Sequence, residues 1–200
     1  MQTIGHVIIN MTILGEATAQ PEAVFWGAVL PDIPIITLYL YQRIAHKTPE
    51  ETIWSVHYQK PFWLGLIHGA HSIALTAIGA VVAYFAGFQM VQAFFLSGLL
   101  HAICDFPAHN RDAHRHFFPF SDYRFLSPFS YWDSYCYAKY VAAFEAVCVL
   151  CCSLVLYSGN LSQRGALAVL LVNVAYVASY LKNFILPRFW RSESNQRGND

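Results

Sequence analysis

The sequence predicts an all-α, polytopic membrane bundle with a His/Asp cluster at the cytoplasmic end of a central helical hairpin. Three observations lead there. Of the 200 residues, 56% are hydrophobic and 12% charged, the latter about half the share usual in soluble domains. Several apolar stretches approach the roughly 20 residues that cross a bilayer. The few ionisable groups inside those stretches are histidines and aspartates near helix ends, where burial in lipid is costly and usually marks function.

Met1–Leu14 has no basic leading region and no clear cleavage site, so it reads as a short helix carrying His6 rather than a secretory signal. The next apolar segment, Ala23–Tyr41, is interrupted by Leu30-Pro31-Asp32-Ile33-Pro34. Two prolines predict a break or kink there, with Asp32 at the break. As a site residue Asp32 competes evenly with a plain helix-capping role. The hydrophilic segment that follows carries His46 and His57, which give little signal.

From Pro61 to Asn110 the only charged side chain is Asp105. Ile73–Gly87 and Val91–Ile103 are apolar throughout, and Gly87-Phe88-Gln89 leaves room only for a tight reversal. At a rise of about 1.5 Å per residue, His68 and His71 lie roughly 25–30 Å from that turn and His101 and Asp105 about 20 Å. Antiparallel packing therefore brings the two pairs near one another. The i,i+3 and i,i+4 spacings place each pair on one helix face. Imidazoles and a carboxylate at the end of an apolar hairpin suit a metal site better than chance polar burial.

Residues 106–140 are both polar and aromatic, as suits a membrane boundary, and lie there as an anchor or as a cap on a site. Within them His109, His114, His116 and Asp112 fall on an expected loop, where exposure is the default. Only His109, closest to Asp105, is expected to join the site. Val141–Tyr157 carries the single charge Glu145, for which a polar partner in the bundle is expected. Gly165–Leu181 carries no charge. Cys148, Cys151 and Cys152 share a helix face and read as small packing residues.

Zero net charge with neutral histidines gives no reason to expect a nucleic-acid partner; the expected partners are membrane lipid and a small or lipid substrate. Basic residues cluster in 106–139 (Arg111, Arg115, Arg124, Lys139) and in the tail (Lys182, Arg188, Arg191, Arg197). The positive-inside rule then puts both segments, with 43–60, in the cytoplasm. Residues 1–190 read as one membrane-embedded domain, with a metal-site core at 1–135 and additional helices at 136–187. Residues 191–200 read as a disordered tail.

The runs Gly27-Ala-Val-Leu-Pro-Asp32, His68-Gly-Ala-His71-Ser72, Gly98-Leu-Leu-His101-Ala-Ile-Cys-Asp105 and Phe118-Pro-Phe-Ser-Asp-Tyr-Arg-Phe125 occur in that order. In this the chain resembles a family of bacterial inner-membrane metal-dependent hydrolases, some under LexA control, distantly similar to zinc-dependent phospholipase C. The likeness covers roughly residues 1–135. It implies a multi-pass inner-membrane protein with His6, Asp32, His68, His71, His101 and Asp105 as metal ligands. Zinc is the expected metal, with manganese or iron as alternatives. Relatives often read P-D-x-D-H where this chain has Pro31-Asp32-Ile33-Pro34-Ile35, so a second Asp and a His are missing.

The expected activity is hydrolysis of a lipid or phosphoester by a metal-activated water, with a spare carboxylate, Asp32 or Asp105, as general base and His109 as proton donor. The alternative is a non-catalytic protein that binds or handles an ion. An open coordination position facing a pocket separates the two.

Overall fold

The computed structural model describes residues 1–132, 134–159 and 162–182. The expected disordered tail, the basic residues Arg188, Arg191 and Arg197, and residues 183–187 of the last apolar segment lie outside them. The described residues are helical, with no strand. Among the described residues, three helices are long and apolar enough to cross a membrane: Pro21–Ala45, Gln89–Ala108 and Ala138–Ser158. A bent pair, Pro61–Ala70 with Ile73–Phe85, makes a fourth if counted as one span.

The first helix, α1 (Thr3–Thr18), ends at Ala19 in the left-handed conformation. Then α2 (Pro21–Val29) continues through a 3₁₀ turn at Leu30–Asp32 into α3 (Ile33–Leu40) and a π turn at Tyr41–Ala45. The two prolines therefore do not break the helix. Each sits in the first turn of a new helical segment, where its missing N–H is not required. The chain tightens by one 3₁₀ turn at Asp32 and runs on.

A short α4 (Glu50–Thr52) and a second π turn, Ile53–His57, lead into α5 (Pro61–Ala70). Here the expected single hairpin arm is divided. His71 leaves α5 with φ −96° and ψ 12°, and Ser72 caps α6 (Ile73–Phe85) by accepting the Leu75 N–H at 3.2 Å. The two helices meet at a bend of 50°. The break falls after His71, whose N–H still bonds the Ile67 carbonyl at 3.1 Å, so both histidines keep the α5 register.

The tight reversal is present. Gly87 takes φ +74°, a conformation that costs a residue without Cβ little, and the Phe88 N–H closes onto the Ala83 carbonyl at 2.9 Å. It joins α6 to α7 (Gln89–Asp105). At mid-bundle Asn10 donates to both the carbonyl and the hydroxyl of Ser97, each at 2.8 Å, and Ser97 donates to the Val24 carbonyl at 2.6 Å. That chain of bonds ties α1, α7 and α2 together where Val24, Ala28 and Ala93 are buried. Small residues allow this approach, as in other membrane helix pairs.

The remaining helices, α8 (Ala138–Ser158) and α9 (Gln163–Tyr180), pack outward from α1 and are joined by Asn173 donating to Ser153 at 2.8 Å. Glu145, buried on α8, accepts the Gln2 N–H at 2.9 Å. Large apolar side chains such as Val82, Phe85, Phe144, Leu154 and Leu171 face outward, as lipid-facing positions should.

The aromatic segment after α7 folds back over the helix ends. Ser127 donates to the Pro107 carbonyl at 2.6 Å, the Tyr131 N–H to Ala108 at 3.0 Å, and Ser72 to Phe118 at 2.6 Å. It is pinned rather than free, and the expected exposure of its histidines does not hold. His114 is 5% exposed and His116 3%.

Candidate metal centre

Five separate pieces of chain deliver side chains to one point: α1 gives His6, the 3₁₀ turn Asp32, the α5–α6 break His71, the last turn of α7 His101 and Asp105, and the following loop His114. Three overlapping groups form, each with ligand atoms within 4.8 Å of one another: His6, His101 and Asp105; Asp32, His71 and His101; His71, Asp105 and His114. The rings pack as two stacked pairs, His6 on His101 with centroids 3.6 Å apart and His71 on His114 at 4.0 Å.

The separations have a physical meaning. His101 Nε2 lies 3.3 Å from Asp105 Oδ2, and His71 Nε2 lies 3.4 Å from Asp32 Oδ1 and 3.9 Å from Asp105 Oδ2. These are long for direct hydrogen bonds. The two shorter ones match the edge of a tetrahedron, about 3.4 Å for ligand distances near 2.1 Å, while His6 Nε2 lies 3.0 Å from Asp105 Oδ1, within direct hydrogen-bond reach.

The other ring nitrogens are fixed from outside. His71 Nδ1 meets the Ile67 carbonyl at 2.9 Å, and His101 Nδ1 meets Ala28 at 2.8 Å. A carbonyl can only accept, so each Nδ1 carries a proton and, in the neutral ring, Nε2 is the nitrogen free to ligate. Both Nε2 atoms are buried and without a hydrogen-bond partner. This is the arrangement that orients metal-ligating histidines, and a buried nitrogen left unpaired is otherwise costly. Thr3 donates to Asp32 Oδ2 at 2.6 Å, which leaves Oδ1 facing the histidines. Four imidazoles and two carboxylates fit a zinc, manganese or iron ion.

His109 stands at the edge, its Nε2 3.4 Å from Asp105 Oδ1 and its Nδ1 2.6 Å from Asp112. Burial alone would lower its pKa, but the Asp105 charge, helped by Asp112, outweighs this and raises it to about 9. His114 goes the other way: burial, then the neighbouring His71 and His109, hold it well below the usual range. It is thus neutral, as a ligand must be.

Of the residues singled out in sequence, His6, Asp32, His71, His101 and Asp105 come together, and His109 borders them. His68 joins none of the three groups. Its nitrogens face the Arg115 backbone N–H at 3.4 Å and the Arg124 guanidinium at 3.3 Å. Sequence reasoning missed His114; the dense run Ala108-His-Asn-Arg-Asp-Ala-His-Arg-His116 was the available signal. His116 does not join the centre. Its carbonyl holds the Ile73 N–H at 2.9 Å, and its ring packs on Phe106.

The cluster opens on a cavity of about 920 Å³. Asp32, Asp105, His109 and His114 line it together with His68 and Arg124, and its remaining wall includes Ile36, Tyr39, Trp54, Leu64 and Trp132. Tyr58 also lines it; burial, then the Asp112 charge, raises its phenol to about 12, so it stays a neutral donor.

No protein-family model matches the chain, and no curated protein or solved structure matches it either.

Proposed function

We propose that this chain is a membrane-embedded, metal-dependent hydrolase acting on a lipid or phosphoester substrate, with its site on the cytoplasmic face of a bacterial inner membrane. The observation that carries the reading is the pair of buried, unpartnered Nε2 atoms of His71 and His101. They face Asp32 and Asp105, and it is these two carboxylates that line the large cavity. His6, His71, His101, His114 and Asp105 would hold the metal, with Asp32 beside it. Bound there, zinc, manganese or iron would supply Lewis acidity and an activated water.

The protein's own groups divide the proton traffic. Asp32, the less deeply buried carboxylate, lines the cavity and is oriented by Thr3, so it can take a proton from the attacking water. His109, raised to about 9, is protonated at neutral pH and stands on the cavity wall. It can give its proton to a leaving oxygen.

Sidedness rests on the basic residues of 106–139 and the positive-inside rule. A site that only stored or passed an ion would have no use for a cavity of this size, and α6 beyond Thr76 offers no polar path. The experiment is a hydrolysis screen of lipid and soluble phosphoesters with the metal-loaded protein in detergent. Turnover lost in both Asp32→Asn and His109→Gln is the expected result. A fully metal-loaded protein that cleaves nothing in the panel favours the ion-binding alternative.

A further inference from the structure

We propose that Arg124, set against His68 on the cavity wall, is the subsite for the phosphate group of a membrane lipid phosphoester. The apolar chain of that lipid would lie along Ile36, Tyr39, Trp54 and Leu64. The inference deepens the hydrolase reading and rests on it for the chemistry, though not for binding.

His68 is 3% exposed, yet two donors converge on its ring, the Arg115 N–H at Nδ1 and the Arg124 guanidinium at Nε2. A neutral imidazole has one acceptor nitrogen, so it cannot satisfy both. Arg115 has an ion pair of its own with Asp122 and lies over the Phe118 ring. Arg124 has neither: among the described residues it makes no ion pair with a carboxylate, although Asp32, Asp105 and Asp112 line the same cavity. A guanidinium that meets a ring nitrogen and no carboxylate beside a cavity is suited to a bidentate oxyanion.

Position supports the same occupant. The His68 ring is 6.1 Å from His114, which stacks on His71, so Arg124 stands one ring beyond the metal centre. An anion held there presents its ester linkage to the cluster. The wall beyond Arg124 is mainly aliphatic and aromatic, with Tyr39 and Trp54 stacked 5.8 Å apart and Glu50 at its edge, accepting the Trp54 indole N–H at 3.4 Å. A small hydrophilic phosphate would leave that wall wet, whereas an alkyl or acyl chain covers it.

The test is calorimetric titration of the metal-free protein in a neutral detergent with three probes: dodecyl phosphate, inorganic phosphate and dodecanol. Dodecyl phosphate should bind most tightly. Arg124→Gln should weaken it about ten- to hundredfold, the loss of one charge-assisted bond, with Arg124→Lys between. Neither change should alter dodecanol, and Trp54→Ala should weaken dodecyl phosphate but not inorganic phosphate. Equal binding of dodecyl phosphate to wild type and Arg124→Gln would overturn the subsite. Inorganic phosphate binding as tightly as dodecyl phosphate would overturn the lipid assignment. Because metal is absent, a failed hydrolase reading leaves these results unchanged, and a failed subsite leaves metal binding unchanged.

Discussion

His101 and Asp105, one turn apart on α7, face each other across 3.3 Å, while the far side of the His101 ring is anchored to the Ala28 carbonyl at 2.8 Å. The i,i+4 spacing sets the pair on one face. The anchor comes from a different helix, so the imidazole points correctly only when α2 and α7 are packed. Folding and ligand geometry are therefore the same event at this position.

That dependence can be tested away from the site. Gly27 lies where α2 crosses α7, and a Cβ there would overlap the Phe94 carbonyl oxygen and come within 2.7 Å of Ser97 Cβ. A backbone carbonyl cannot swing aside. Gly27→Ala should cost about 1–3 kcal/mol of stability and weaken metal binding, measured by thermal unfolding and metal titration. Unchanged metal affinity would separate the His101 anchor from helix packing.

Asn10 supplies a contrast. Its bonds to Ser97 hold the bundle at mid-depth but touch no site residue. Asn10→Ala should lower stability by about 1 kcal/mol, the scale of hydrogen bonds between membrane helices. Metal stoichiometry should stay at the wild-type value.

His114 and His116 should part company. Both are buried on the same loop, but only His114 belongs to the cluster. His114→Ala should weaken metal binding at least tenfold. His116→Ala should lower the melting temperature and leave metal affinity within about threefold. Equal effects would mean that the loop acts as one structural unit.

For His109 the prediction concerns pH. Its folded pKa of about 9 lies above the ordinary 6.5, so its contribution to stability is fully present below about 6.5. It is lost as pH rises through about 9. The metal-free protein should therefore melt at lower temperature at pH 9 than at pH 6.5, and His109→Gln should reduce that difference. Nuclear magnetic resonance of the ring should show titration near 9; titration at 6.5 or below would remove His109 as a proton donor at neutral pH.

What the sequence made legible was whatever depends on local spacing: the apolar spans, the reversal at Gly87, and the His101/Asp105 face. It could not show that two prolines within one helix would each occupy a first turn and tighten the chain without breaking it. Nor could it show that α5 and α6 part at His71, or that Arg124, 56 residues on, meets the His68 ring at 3.3 Å. His114 was hidden for a related reason. A loop histidine is buried only when long-range bonds such as Ser127 to Pro107 and Ser72 to Phe118 fold the loop down, and no local pattern records such bonds.

The central claim is that the cluster holds metal, and elemental analysis of detergent-purified protein tests it most directly. Wild type is compared with the His101→Ala/Asp105→Ala double variant, each after reconstitution with zinc, manganese or iron. Roughly stoichiometric metal in wild type that disappears in the double variant is the expected result, consistent with the donor set. Wild-type protein that holds no metal, or a double variant that keeps it, would contradict the account.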